Sequence, residues 1–220
     1  MRDLSDVKRI VIKVGTSTLT CGRGIDSDYI HDLASQVAAL HKASRQVVLV
    51  TSGAIGMGVA QLDLEGRPSE IPMRQACAAI GQPILMAEYR RHFEQFGIKT
   101  AQVLLTAEVF NNRKTYLNLR NAIETLLKMQ VIPIVNENDS ISTDEIGTTF
   151  GDNDRLSALV ASKIDAELLI ILTDIDALYD KDPRRCPDAR PIETVCEITD
   201  QLLAAARGSG TKLGTGGMRT

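Results

Sequence analysis

The sequence predicts an α/β fold, a three-layer αβα sandwich around a mainly parallel sheet. Short apolar runs with little polar alternation recur along the chain, as in strands buried on both faces, and stretches with apolar residues at helical spacing lie between them. A polar cluster follows most of these runs, and in open parallel sheets ligands gather beyond the carboxyl ends of the strands.

The first expected strand is Arg9–Val14 (RIVIKV). Ile30, Leu33, Ala34, Val37 and Leu40 then recur on one helical face, with Asp26 and Ser27 available as caps. Gln46–Val50 (QVVLV) and Thr100–Leu105 (TAQVLL) read as the second and third strands. Leu119, Ile123, Leu126 and Leu127 mark another crossover helix. The runs at 131–135 (VIPIV) and 167–173 (ELLIILT) complete the sheet. Only 141–150 breaks the rhythm; two β-prone pieces around D-E-I-G predict a hairpin over the site.

With 220 residues, 44% of them hydrophobic, the chain can build one α/β domain with a substantial core. A net charge of -3 gives no global attraction to nucleic acid or an anionic membrane, so an anionic ligand must be held by local donors. Cys21, Cys77, Cys186 and Cys196 show no C-x-x-C spacing, and the N-terminus lacks an apolar signal core, which favours a cytoplasmic setting. The apolar run at 168–172 is far too short to span a bilayer. His31, His41 and His92 lack metal-ligand spacing and are expected at the surface or on helix flanks; no protein metal ligands are expected. The glycine-rich stretches near the C-terminus read as a flexible segment.

No G-x-x-x-x-G-K-[ST] occurs and no G-x-G-x-x-G follows the first strand, which argues against a P-loop NTPase or a Rossmann dehydrogenase. Instead, I-K-V-G-T-S at 12–17 places Lys13 just before a strand end and Gly15 where backbone amides can approach an anion. The same lysine also fits a snorkelling surface position. T-S-G-A-I-G at 51–56 puts the Ser52 hydroxyl and glycine amides at a helix start, suited to an anion or to an ordinary cap. N-E-N-D at 136–139 follows an apolar run and is costly to bury unpartnered, so it faces ligand or water, or forms an Asx-rich turn. An acidic residue there could accept hydrogen bonds from the α-ammonium of an amino acid.

In F-G-D-N-D at 150–154, Asp152 or Asn153 can cap a helix starting near Asp154 and continuing through Leu156, Ala158, Leu159 and Val160. Asn153 could donate to a carboxylate and Asp154 could orient lysines. T-D-I-D-A-L-Y at 173–179 ends the last strand with Thr173 and Asp174, either bordering a nucleotide or serving the turn. G-T-G-G-M-R-T closes the chain at 214–220.

These segments, in this order and over essentially the whole chain, resemble the amino acid kinase family, and within it the members that phosphorylate the side-chain carboxylate of glutamate. Members acting on acetylglutamate, uridylate, carbamate or aspartate generally lack the paired N-E-N-D and F-G-D-N-D segments. The resemblance implies the family's mainly parallel, eight-stranded αβα fold, with ATP and Mg²⁺ as cofactors and L-glutamate as acceptor. The product would be L-glutamyl 5-phosphate, the first step toward proline. By that resemblance Lys13 and Asp154 are catalytic, Lys13 also contacting ATP; Ser52, Asp139 and Asn153 hold glutamate. Thr173, Asp174, Thr215, Gly216, Gly217, Met218, Arg219 and Thr220 would border or close over the nucleotide. Proline as feedback inhibitor and a homo-oligomer, dimer or tetramer, are further implications.

The family continues the M-x-T motif with a lysine that stabilises the transferring phosphoryl group, whereas Thr220 is the last residue here. The expectation is therefore a C-terminally truncated kinase domain over 1–220, without the C-terminal RNA-binding-like domain of many bacterial members and impaired in turnover. Lys212 is not expected to take that lysine's place. Two other readings stay open: a non-catalytic domain that binds glutamate or proline, and a family member with another carboxylate or phosphate acceptor.

Overall fold

The computed structural model describes residues 3–21, 24–141, 153–183, 186–200 and 202. The chain runs β1 (Arg9–Val14), α1 (Thr16–Leu19), β2 (Thr20–Cys21), β3 (Gly24–Ile25), α2 (Ser27–Lys42), β4 (Gln46–Val50), α3 (Ala54–Gln61) and α4 (Ile71–Glu94). It continues through β5 (Thr100–Leu105), α5 (Glu108–Asn111), α6 (Arg113–Lys128), β6 (Ile132–Glu137), α7 (Asn153–Lys163) and β7 (Leu168–Leu172). Five strands form one parallel sheet in the order β5-β6-β4-β1-β7, and β2 and β3 make a small antiparallel ribbon. The expected hairpin at 142–150, Gly151 and Asp152, Lys212 and the closing segment 214–220 lie outside the described residues.

Strand alternation divides the core in two. Ile10, Ile12 and Val14 of β1, Val47 and Leu49 of β4, and Ile132 and Ile134 of β6 pack with Ile30, Leu33 and Val37 of α2 and Leu85, Tyr89 and Phe93 of α4. Val11, Val48, Val50 and Val135 face the other way, onto Ile123 and Leu127 of α6 and Leu156 and Val160 of α7. Burial on both faces is why these strands read as continuous apolar runs. The result is the αβα sandwich the sequence predicts.

The helix starts follow ordinary capping chemistry. The Asp26 carboxylate accepts from the Tyr29 amide at 2.9 Å, and Asn112 Oδ1 accepts from the Lys114 and Thr115 amides at 2.9 and 3.2 Å. Asp26 is thus the cap of α2, and Ser27 its first helical residue. β6 runs two residues beyond the apolar stretch because its ladder with β5 continues, pairing Leu104 with Asn136 and Leu105 with Glu137.

α4 had no expectation. Its buried residues, among them Cys77, Gly81, Leu85, Tyr89 and Phe93, meet α2 and α3 as well as the sheet, so no single apolar stripe stands out, and Gly81-Gln82-Pro83 reads as a break. The break is instead a close crossing. A methyl at Gly81 would lie 1.9 Å from the Ala54 carbonyl oxygen, and one at Gly58 would lie 1.9 Å from that of Cys77. Only glycine lets the α3 and α4 backbones come this near.

His92 departs from expectation too. It is buried on α4, with Nε2 3.0 Å from the Ser27 hydroxyl and its ring edge-on to His31. His31 is exposed and His41 half-buried. Among the described residues no helix is long and apolar enough to cross a membrane.

Two outcomes are expected. Gly81→Ala should lower the unfolding free energy by about 1–3 kcal/mol or more, because backbone must move to admit the methyl; an unchanged urea midpoint would contradict the crossing. Burial and then Arg91 hold the His92 pKa below its ordinary 6.5, against the pull of Glu88. The unfolded chain therefore takes up this proton first, so the contribution to stability is complete above pH 6.5 and is lost as pH falls from there through the lowered folded value. The fall in unfolding free energy over this range should be shallower in His92→Gln; an identical slope would remove His92 as its source.

Candidate functional site

The carboxyl ends of the parallel strands share one edge of the sheet, and the polar clusters converge there. Along β1 the alternation that sends Ile12 and Val14 toward α2 and α4 turns Lys13 toward α7. Lys13 is only 5% exposed, and its Nζ pairs with the Asp154 carboxylate in the first turn of α7. The snorkelling alternative is therefore excluded. Just beyond, a methyl at Gly15 would come within 3.3 Å of the Leu172 carbonyl and 3.5 Å of Lys13 Nζ, so glycine keeps the loop close against both. The Gly15 amide itself donates to Leu172 O at 3.2 Å and serves the sheet.

The second feature is a run of buried carboxamides. Asn153 Nδ2 donates to the Thr51 carbonyl and, at 2.9 Å, to Asn136 Oδ1; Asn136 Nδ2 donates to Gln82 Oε1 at 2.8 Å. Gln82 Nε2 continues to Gln102 Oε1 at 3.2 Å. The Thr51 carbonyl can only accept, and the Glu137 amide, which bonds Asn136 Oδ1 at 2.9 Å, can only donate. These two backbone groups set the polarity of the whole run. They also commit both Asn153 amide protons within the protein.

Thr51 is fully buried, and its hydroxyl lies 3.2 Å from the Ser52 carbonyl and 2.8 Å from the Tyr89 phenol. Burial pushes the Tyr89 pKa up, so the phenol stays a neutral hydrogen-bonding group. Gly53 follows at φ 104°, a conformation side chains resist, and turns the chain into α3. Half-buried Ser52 is thus fixed at the site edge by its neighbours.

Asn138, Asp139 and Ser140, beyond β6, line a shallow open depression whose other wall includes Ala54, Ala78 and Gln82. Burial raises the Asp139 pKa, while Arg67 and Arg74 pull it back. Thr173 and Asp174 leave β7 on the far side of β1; both are exposed, with Thr173 Oγ1 3.2 Å from Asp174 Oδ1. The structure therefore brings Lys13 and Asp154 into contact. Ser52, Asp139 and Asn153 gather on the β4–β6 side, and Thr173 and Asp174 border the β7 side. Thr215, Gly216, Gly217, Met218, Arg219 and Thr220 lie outside the described residues. Among the described residues no group of three or more His, Cys, Asp or Glu side chains could hold a metal ion.

Sequence reading did not single out Gln82, Tyr89, Gln102 or Arg74. A lone glutamine within C-A-A-I-G-Q-P-I-L-M was the available signal for Gln82, since a polar side chain in an apolar run must find a buried partner. Nothing local marks Tyr89, whose partner Thr51 is 38 positions away.

A sequence profile of the amino acid kinase family matches residues 8–220. The glutamate 5-kinase of Methanococcoides burtonii is 51% identical over 218 residues, covering 99% of this chain and 58% of that protein. The glutamate 5-kinase of Geobacter sulfurreducens is 52% identical over 218 residues with the same coverage of 99% and 58%. The chain thus spans less than two thirds of the length of these curated relatives. The crystal structure of UMP kinase from Ureaplasma parvum superposes with a TM-score of 0.58 at 19% identity, covering 93% of this chain and 86% of that one, a likeness of fold. With this profile match and two relatives at about half identity joined to a parallel sheet that gathers Lys13, Ser52, Asp139 and Asp154 at one edge, the chain belongs to the amino acid kinase family.

Proposed function

We propose that this protein transfers the γ-phosphoryl group of ATP to the side-chain carboxylate of L-glutamate, giving L-glutamyl 5-phosphate for proline synthesis. The observation that carries the reading is the buried Lys13–Asp154 pair at the carboxyl edge of the sheet. A desolvated ion pair is weak as a stabilising device, because the cost of removing two charges from water offsets much of their attraction. Chemistry that needs an ammonium held in one place gives the pair a use that stability does not. The names of the relatives at about half identity support glutamate as the acceptor.

Bound ATP with Mg²⁺ would supply an electrophilic phosphoryl group whose negative charge the metal partly neutralises. Lys13 would hold a phosphate oxygen and counter charge gathering in transfer, and Asp154 would fix the ammonium's direction. The acceptor carboxylate is already nucleophilic, so no residue is assigned as general base. Ser52 would donate to it from the β4 turn, and Asp139 would take the substrate ammonium. Asn153, with both amide protons used internally, would act by holding the Thr51–Ser52 turn.

Thr173 and Asp174 would border the nucleotide. The closing role of Thr215, Gly216, Gly217, Met218, Arg219 and Thr220 rests on the family resemblance, as do proline feedback, a homo-oligomeric assembly and a cytoplasmic setting.

The test is ATP-dependent formation of γ-glutamyl hydroxamate from glutamate, Mg²⁺ and hydroxylamine, with aspartate and N-acetylglutamate as competing acceptors. Product with glutamate above the others is expected; product with another acceptor alone, or none, would reject the reading. Lys13→Met should lower turnover by about a hundredfold or more. It should also destabilise the fold, because it takes the ammonium away from a half-buried carboxylate. Adding Asp154→Leu to Lys13→Met should recover much of the stability and none of the turnover. Recovery of both would assign the pair a purely structural role.

A further inference from the structure

α4 carries Arg74, Ala78 and Gln82 at intervals of four, which places them on one stripe of the helix. Ala78 and Gln82 line the depression whose opposite wall includes Glu137 and Asp139. Arg74 lies one turn before Ala78 on that stripe, and its charge reaches Asp139 on the opposite wall. Arg74 is half-buried, and its Nε is shut off from solvent with no hydrogen-bond partner among the described residues. A guanidinium N–H removed from water without an acceptor is costly, and arginine carries only donors, so the missing partner must be an acceptor.

The charges around Arg74 identify that acceptor's chemistry. Burial and the exposed Arg67 on the preceding loop lower its pKa; Asp139 and Glu137 across the depression act in the opposite sense. A cation on the helix stripe stands in the field of carboxylates at and just beyond the end of β6, across a shallow depression open to solvent. That arrangement matches a zwitterion, with the ammonium on the acidic wall and the carboxylate on the arginine. The wall is also connected to the reacting centre. Gln82 bonds Asn136, Asn136 bonds Asn153, and Asn153 directly precedes Asp154.

We propose that Arg74 recognises the α-carboxylate of the amino-acid substrate, with Asp139 opposite taking the α-ammonium, so that the side-chain carboxylate is the end presented for phosphorylation. The assignment rests on the glutamate reading above and adds the residue that makes the site select free amino acids. Arg67, exposed on the loop, contributes field and no direct contact.

The test is calorimetric titration of L-glutamate and of its α-amide into the unaltered chain, Arg74→Met and Arg74→Lys. The two ligands share the side-chain carboxylate and the ammonium and differ only in the group assigned to Arg74. The unaltered chain should bind glutamate about 10- to 100-fold more tightly than the α-amide. Arg74→Met should bring the two affinities close together by weakening glutamate alone, and Arg74→Lys should keep part of the difference. A merely structural role would weaken both ligands equally and leave their ratio intact, which would overturn the proposal. So would an unaltered chain that binds neither ligand or does not distinguish them. Should the Met variant not fold, the reduced ratio in Arg74→Lys decides the matter in the same way. Discrimination that depends on Arg74, without ATP-dependent turnover, would reject the kinase reading and uphold this assignment.

Discussion

The carboxamide run from Gln102 through Gln82 and Asn136 to Asn153 determines where the parts of the site stand. It joins β5, α4, β6 and α7, and ends on the Thr51 carbonyl at the exit of β4. Each amide is oriented by its neighbour, and two backbone groups, the Thr51 carbonyl and the Glu137 amide, fix the direction of the series. In a low-dielectric interior such a network holds its members firmly when every group is satisfied and is costly when one is not. α7 is thereby pinned at its first residue, which places Asp154, one position on, against Lys13. The ion pair depends on the amides, and the proposed chemistry depends on the ion pair.

The close α3–α4 crossing supports the same arrangement from below. Gly58 and Gly81 let two helix backbones approach to a distance that a methyl group would forbid. Gly81 directly precedes Gln82, so the residue that permits the approach sits beside the one that feeds the carboxamide run. The same helix carries Tyr89 to the Thr51 hydroxyl, and Ala78 and Gln82 into the wall of the depression. α4 is therefore the element that registers the Asn136–Asp139 side of the site against the sheet. Gly58 and Gly81 are packing devices, whereas Gly53 is conformational and Gly15 keeps its loop close against Leu172 and Lys13.

The local readings that succeeded share one physical basis. β1, β4 and β5 have the limits expected from their apolar runs because strands buried on both faces leave a mark in composition. The Asp26 cap and the helix through Ile123 and Leu127 were legible because their signals lie within a few residues. Where the structure went elsewhere, distant contacts decided. β6 extends through Asn136 and Glu137 because β5 offers them ladder partners. His92 is buried where α4 packs on α2, and Ser27, 65 positions away, meets its Nε2 there. α4 escaped notice because it is packed on several sides.

By itself the sequence determined the fold class, the strand order along the chain and the clusters Lys13, Thr51–Ser52, Asn136–Asp139 and Asn153–Asp154, since periodicity and composition are local properties. Tertiary structure alone decided that Lys13 is a buried, paired ammonium and that Asn153 spends its donors on the protein. It also brought Gln82 into hydrogen-bonding reach of Asn136, 54 positions away on β6. The reason is that a side chain's partner across such separations is chosen by how helices and strands pack, and packing is written in no single segment of the chain.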